Sequence, residues 1–451
     1  MPSAPMPSLE DIASCIAGYD PNALPVAQAR QFIAQLVPKV QAVESLALRS
    51  ALGRVLARDV VSAIDVPSHD NSAMDGFALR WAELSGTADA LITVAGTAFA
   101  GVAFNGVVDA GQGVRVMTGA VMPAGFDTVV PQEFTRTEAD GRIRIPAGTV
   151  QAGDNRRLRG EDLARGDVAL AAGRILSPAD LGLLASLGQA EVPVFRRLRV
   201  AFFSTGDELR SIGQPLDEGC VYDSNRYTIW GMLSRLGVEL IDLGVVRDDP
   251  AALEAAFTQA AASADAVITS GGVSVGEADH TKQVMKALGE VLFWKIAMRP
   301  GRPMAIGRIG RIGRIGRIDA PPGTGGQTST AGRSPAMLFG LPGNPVAVMV
   351  TFYAFVRDAL LAMSGATPQP LPLLRAVSEA ALRKKPGRTE YQRGIVSPMP
   401  DGRWQVRITG AQGSGILRSM SQANGMVVLH HAQGDVAAGD LVDVIPFNGL
   451  V

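Results

Sequence analysis

Residues 198–209 read LRVAFFSTGDEL, and 223–237 read DSNRYTIWGMLSRLG. The first is an apolar strand that empties into a polar, glycine-containing turn. The second is a helix with Ile229, Leu233 and Leu236 on one face and Gly237 as its stop. The same unit then recurs. VELIDLGVV is a strand, Asp249 is a plausible N-cap with Pro250 at the first helical position, and Leu253, Phe257 and Ala260 make an apolar stripe. DAVITS is the next strand, GGVSVGEAD the loop, and Val284, Met285 and Leu288 mark a helix ended by Gly289. AMLFGL closes the series, with Asn344 as N-cap and Pro345 opening a helix that carries Met349, Phe352 and Val356. Strands alternating with helices from Leu198 to Gly365 predict a doubly wound, mostly parallel α/β domain.

Outward from this centre the pattern changes. Residues 25–36 and LSPADLGLLASLG (176–188), with Ser177 as cap, read as helices, and between them Val60–Val168 reads as short strands of an inserted β-rich lobe. After Pro372, WQVRIT and GMVVLH predict a small C-terminal β domain, with boundaries near Arg196 and at Thr367–Pro372. Residues Gly307–Ile318 repeat GRI and run into DAPPGTGGQTSTAGRSP, which reads as a solvated surface loop inserted between two strands rather than as an anion patch.

Composition sets the outer limits. The 451 residues suffice for several cores, and 42 Lys plus Arg against 43 Asp plus Glu argue against nucleic acid or an anionic membrane as main partner. The longest apolar run, Val348–Val356, is far below the roughly 18 residues that spanning needs, and the N-terminus lacks the charge and apolar pattern of a cleaved signal. Cys15 and Cys220 stand alone, without zinc or disulfide spacing. A cytoplasmic, soluble protein is the expectation.

In an open α/β sheet ligands sit beyond the carboxyl ends of the strands, so FSTGDEL, RDD, SGGVSVGEAD and LPGNP should share one crevice. Gly271, Gly272 and Gly276 would let backbone N–H groups approach a phosphate, although tight turns need glycine too. The same loops carry acids. Asp249 is read as a cap and Asp207 as capping its own turn; Glu208, Asp248 and Asp279 are placed first as hard oxygen ligands for Mg²⁺ beside a phosphate. WKIAMRPGRP puts Lys295, Arg299 and Arg302 on a rigid turn, where fixed cations suit an oxyanion. In the inserted lobe, PSHDNSAMDGFALR holds Asp70, Asn71, Ser72 and Asp75, VRVMTGAVMP holds Thr118 and Gly119, and RRLRGED holds Glu161 and Asp162, which together suggest a second wall of a site.

These strings, with NRRLRGED, PGRTEYQRG and QGSGIL, follow the order found in the MoeA family of molybdopterin molybdenumtransferases, related to the C-terminal enzyme domain of gephyrin, and the chain resembles that family from about Pro25 to Phe447. The resemblance implies a helical linker domain (21–62 and 163–196), an inserted β-rich domain (63–162), a molybdopterin-binding α/β domain (197–368) and a C-terminal β domain (369–451). It also implies a homodimer whose cleft the partner's inserted lobe completes, with molybdopterin adenylyltransferase and molybdoenzyme chaperones as further partners. Molybdopterin or its adenylylated form would contact Ser204, Thr205, Gly206, Ser270, Gly271, Gly272, Val273, Ser274, Gly276, Pro342, Gly343 and Asn344. Glu208, Asp248 and Asp279 would surround Mg²⁺ and the pyrophosphate, Asp75, Thr118 and Asp162 would come from the inserted lobe, and Lys295, Arg299, Arg302, Arg388 and Ser414 would face molybdate. The family's turn carries lysines where this chain has RPGRP, which keeps the charge and changes its geometry.

The implied reaction inserts molybdate into adenylylated molybdopterin with release of AMP. The rivals are a molybdopterin adenylyltransferase, which would need neither residues 1–195 nor 370–451, and a gephyrin-like scaffold. Replacing Gly310–Ser334 with a short turn is expected to leave turnover intact, and a folded deletion without turnover would reverse the reading of that segment as a bystander.

Overall fold

The computed structural model describes residues 8–84, 86–273, 280–310 and 335–447. The chain divides into two compact units, Met1–Glu44 with Phe195–Val451, and Ser45–Val194.

The first unit is built on a six-stranded sheet. Among its helices are α1 (Val26–Leu36), α2 (Ser224–Arg235), α3 (Pro250–Ser263), α4 (His280–Leu288) and α5 (Pro345–Met363). Its strands are β1 (Arg199–Thr205), β2 (Glu239–Val246), β3 (Ala266–Ser270), β4 (Gly289–Lys295), β5 (Pro303–Ile309) and β6 (Ala336–Leu341). The order across the sheet is β2-β1-β3-β6-β5-β4. β2, β1, β3 and β6 pair in parallel, whereas β5 runs antiparallel to both β6 and β4. From β1 the chain crosses to β2 on one side, and from β3 it departs to the other. That reversal between adjacent strands is the switch point at which such sheets open a crevice.

Both faces are covered. Phe202, Ile268, Met337 and Phe339 bury one face against α2 and α5, and Phe203, Val267 and Leu338 bury the other against Leu253, Phe257 and Ala260 of α3. The helical pattern at 25–36 belongs to this core: Phe32 of α1 meets Trp294 of β4 edge to face at 5.1 Å between ring centroids. Helix α5 contains a π turn at Phe352–Val356. Its 19 residues are long and apolar enough to cross a membrane, a property hidden from the apolar run Val348–Val356, which charged Arg357 and Asp358 end. It is a core helix here, 67% buried within the unit.

Gly307–Ile309 correct one expectation. These first residues of the GRI repeat are not loop: they end β5, hydrogen-bonded to β4 and β6, with Ile309 fully buried and Arg308 donating to the Leu36 carbonyl at 3.3 Å. Gly307 is required there, since a Cβ would collide with the Glu290 carbonyl across the strand pair. Residues 311–334, the rest of the repeat and its low-complexity continuation, lie outside the described residues.

The C-terminal strands Leu374–Ser378, Thr389–Pro398, Trp404–Ile408, Gly425–Leu429 and Leu441–Pro446 close into a barrel, because Thr389–Pro398 pairs with both Trp404–Ile408 and Gly425–Leu429. Met298–Arg299 pairs in parallel with Thr389–Glu390, which fastens the turn after β4 to the barrel.

The second unit holds a six-stranded sheet with Gly76–Leu79, Gln112–Val116 and Ala90–Ala98 at its centre, two short ribbons, and the helix Pro178–Ser186. The helix begins as its sequence demands. Ser177 and Asp180 form a reciprocal capping box, and Asp180 also accepts from Arg174 at 2.9 Å. Burial pushes the Asp180 carboxyl up, but hydrogen bonds from Arg174 and Ser177 outweigh it and leave it below its ordinary 3.8. A carboxyl depressed by folding stabilises fully above its unfolded value and loses that contribution as pH falls through the folded one. Asp180→Ala should therefore cost about 1–3 kcal/mol at neutral pH. Urea unfolding of the full chain should show that deficit shrinking only below pH 3.8.

Candidate functional site

One large cavity, about 1280 Å³, opens at the carboxyl ends of the parallel strands, and residues of the first unit alone line it. Thr205, Gly206 and Glu208 follow β1, Asp248 follows β2, Gly271, Gly272 and Val273 follow β3, and Pro342, Gly343 and Asn344 follow β6. Two further walls come from outside the sheet: the turn Arg299–Pro300–Gly301, and the barrel loop Gln412–Gly415.

The glycines after β3 are there for steric reasons. Gly271 and Gly272 sit at φ +97° and +66°, and a Cβ on them would strike the Thr205 carbonyl oxygen and the Thr281 hydroxyl. Their loop is thereby pressed against the β1 loop, and the Gly271 amide donates to the Leu341 carbonyl at the end of β6. The acids divide by role. Asp249 caps α3 through the Ala252 amide, as the sequence predicts. Asp207 does not cap its own turn; its Oδ1 accepts the Asp248 amide at 3.3 Å, which ties the β1 and β2 loops together. Glu208 and Asp248 both reach the cavity wall, and the Asp248 carboxylate accepts from the Thr281 hydroxyl at 3.3 Å. Asp279, Ser274 and Gly276 lie outside the described residues. Among the described residues no group of three His, Cys, Asp or Glu is arranged to hold a metal.

Ser204 and Ser270 are buried at the strand ends beneath the cavity. Asn344 occupies the cap position of α5, yet its side chain makes no cap bond and lies on the wall instead. The Val346 amide of that helix donates to the Ser414 carbonyl at 3.0 Å, so the barrel loop sits over the α5 N-terminus.

The cations separate as well. Arg299 lines the cavity. Lys295 and Arg302 are exposed on the same turn and are not among the lining residues, and Arg388 is engaged by Glu390 at 2.7 Å, also off the wall. Three of the five residues assigned to an oxyanion, Lys295, Arg302 and Arg388, are therefore not among the residues that line this cavity.

Arg393, five residues past Arg388, was not singled out in the sequence. It is fully buried, and its guanidinium donates to the Gln412 carbonyl at 3.1 Å, the Gly413 carbonyl at 2.9 Å and the Ser419 hydroxyl at 3.0 Å. It thus holds the barrel loop that walls the cavity. Burial, and then the charge of Arg299, push its pKa down, but a guanidinium stays protonated at any ordinary pH. Tyr222, Asp223, Ser224 and Asn225 also line the cavity; the sequence places the last three at the start of a helix and assigns Tyr222 no role.

In the second unit, Asp75 and Thr118 come together. Asp75 Oδ1 accepts both the Thr118 amide and its hydroxyl at 2.7 Å, and those bonds hold its carboxyl below the usual range. Asp162 is exposed, its amide donating to the Val66 carbonyl. The neighbouring arginines are neutralised locally: Arg156 by Asp70, Arg157 by Glu161 and Arg159 by Asp65.

Comparison with known proteins agrees along the whole chain. Residues 24–188 match the MoeA N-terminal region (domains I and II), 201–362 a probable molybdopterin binding domain, and 375–447 the MoeA C-terminal region (domain IV). A molybdopterin molybdenumtransferase of Haemophilus influenzae is 40% identical over 94% of this chain and 98% of its own length. One from Nostoc is 35% identical over 98% and 94%. The crystal structure of a molybdopterin biosynthesis MoeA protein from Pyrococcus horikoshii superposes with a TM-score of 0.76 at 26% identity, covering 94% of this chain and 99% of that one. An α/β domain carrying glycine and acid loops over a shared cavity, flanked by β domains and matched end to end by these relatives, belongs to the MoeA family of molybdopterin molybdenumtransferases.

Proposed function

We propose that this chain inserts molybdenum from molybdate into molybdopterin, that it takes the pterin as its adenylylated form, and that it releases AMP. The observation that carries the reading is the convergence on one cavity of the glycine-bearing β3 loop, the acids Glu208 and Asp248, and Arg299. Backbone N–H groups at Gly271 and Gly272 suit a phosphate, because no side chain keeps it at a distance. Arg299, a fixed cation across the cavity, suits an oxyanion.

In this reading the pocket holds the dithiolene sulfurs beside molybdate. A water oxygen attacks the adenylyl phosphorus, the P–O bond to the pterin phosphate breaks and AMP leaves. The two sulfurs replace two oxygens on molybdenum, which depart as water with the two thiol protons and two from solution, molybdenum staying at its original oxidation state. Glu208 and Asp248 fit Mg²⁺ in chemical type, since that ion binds through one or two carboxylates and completes its shell with water and substrate phosphate. When bound it would withdraw charge from the anhydride oxygens. The chain's own contribution is placement: holding pterin phosphate, anhydride and oxyanion in one desolvated volume supplies most of what such a transfer needs. The full-length match to molybdenumtransferases favours this reading over the adenylyltransferase. Homodimerisation belongs to the same proposal, and sedimentation of the pure protein should give the mass of two chains.

Pure protein with adenylylated molybdopterin, Mg²⁺ and molybdate should release AMP and produce cofactor that activates an apo-molybdoenzyme; absence of molybdate-dependent AMP would defeat the proposal. Asp248→Ala and Glu208→Ala should each lower that rate about 100-fold with the thermal midpoint unchanged, and chelation should abolish it until Mg²⁺ is restored. Consumption of ATP with free molybdopterin would point to the adenylyltransferase instead.

A further inference from the structure

The N-terminus of α2 carries a second kind of group at the cavity. Asp223 is its cap residue and Asn225 stands two positions on; both line the cavity, at 3% and 7% exposure. Asp223 Oδ1 accepts the Arg226 amide at 3.1 Å, an ordinary cap, and also the hydroxyl of Ser204, the penultimate residue of β1, at 3.0 Å. Asn225 has no capping task. Its Nδ2 donates to the Ser270 hydroxyl at the end of β3 and to the Gly343 carbonyl after β6, each at 2.7 Å. Ser270 passes the connection on to the Pro342 carbonyl at 3.4 Å.

Two side chains two positions apart therefore reach the ends of three strands. A buried asparagine is a poor choice for a helix on intrinsic grounds, and here it is costlier still, because Asn225 Oδ1 and Asp223 Oδ2 are buried without a partner. An apolar residue would serve the helix better. What a primary amide supplies, alone among uncharged side chains, is two donors on one nitrogen, placed between acceptors on two different loops.

We propose that Asp223 and Asn225 are positioning residues that clasp the loops after β1, β3 and β6, so that the backbone groups at Gly206, Gly271–Gly272 and Gly343 meet the phosphate-bearing pterin as a preset surface. The effect on turnover rests on the function proposed above; the clasp itself does not.

Asn225→Ala and the single-arm variants Ser204→Ala and Ser270→Ala, each in the full chain, test it by amide exchange without ligand. Asn225→Ala should speed exchange about tenfold in peptides covering 270–273 and 341–344, while α3 and the thermal midpoint hold. Ser270→Ala should loosen the same two loops, and Ser204→Ala only 204–209, so the arms decide the matter even if Asn225→Ala fails to fold. In turnover, Asn225→Ala should raise KM for adenylylated molybdopterin about tenfold and that for molybdate less than twofold. Unchanged exchange in these loops, or exchange that rises uniformly as the midpoint falls, overturns the proposal. If the wild type releases no AMP, the function fails and the exchange pattern still judges the clasp.

Discussion

Parallel pairing of β2, β1, β3 and β6 makes all four strands end on one edge of the sheet. Everything at the candidate site depends on that constraint. Loops far apart in sequence, at 204–209, 248, 270–273 and 342–344, thereby become neighbours. The reversal of chain direction between β1 and β3 parts their connections, and the gap is where Gly271 presses against Thr205. A side chain at that glycine would hold the two loops apart, so the shape of the cavity is set by backbone contact.

The remaining walls come from the barrel, and charge explains how they are held. Arg393 is buried with backbone carbonyls and a hydroxyl as its acceptors. A carboxylate partner would cancel its charge; neutral acceptors satisfy the hydrogens and leave the charge standing. Burial first, and then the charge of Arg299 on the cavity wall, push the Arg393 pKa down, so the site carries two like charges. That is unfavourable for the empty protein and favourable toward an anion.

Periodicity and cap residues made the α/β domain readable, because strands buried on both faces are continuously apolar and helices such as 250–263 announce their start with a cap residue and proline. Boundaries blurred where local composition and pairing disagreed: GRI looks like low complexity, yet Gly307–Ile309 is held by strands on both sides, a tertiary fact that no window of sequence contains. At the site, acids within short loops were legible, since Glu208 and Asp248 stand next to the turns that aim them. Cations were less so. Lys295, Arg302 and Arg388 share a charge and a neighbourhood with Arg299, but of the four only Arg299 lines the cavity, and Arg388 is engaged by Glu390. Arg393 and Asn225 were missed because each acts on backbone atoms distant in sequence. The one available signal was the choice of asparagine, a weak helix former, inside DSNRY.

Helix α5 has the composition of a lipid-crossing segment and the surroundings of a protein interior. Its position in the chain reconciles the two. By the time residues 345–363 are synthesised, every strand of the sheet that receives them has already been made. This apolar stretch thus emerges after the sheet that buries it, with its resting place in existence. Had the order been reversed, a greasy helix would wait in solvent for a surface, open to membrane capture or self-association. Connectivity here shields the folding chain as much as sequence does.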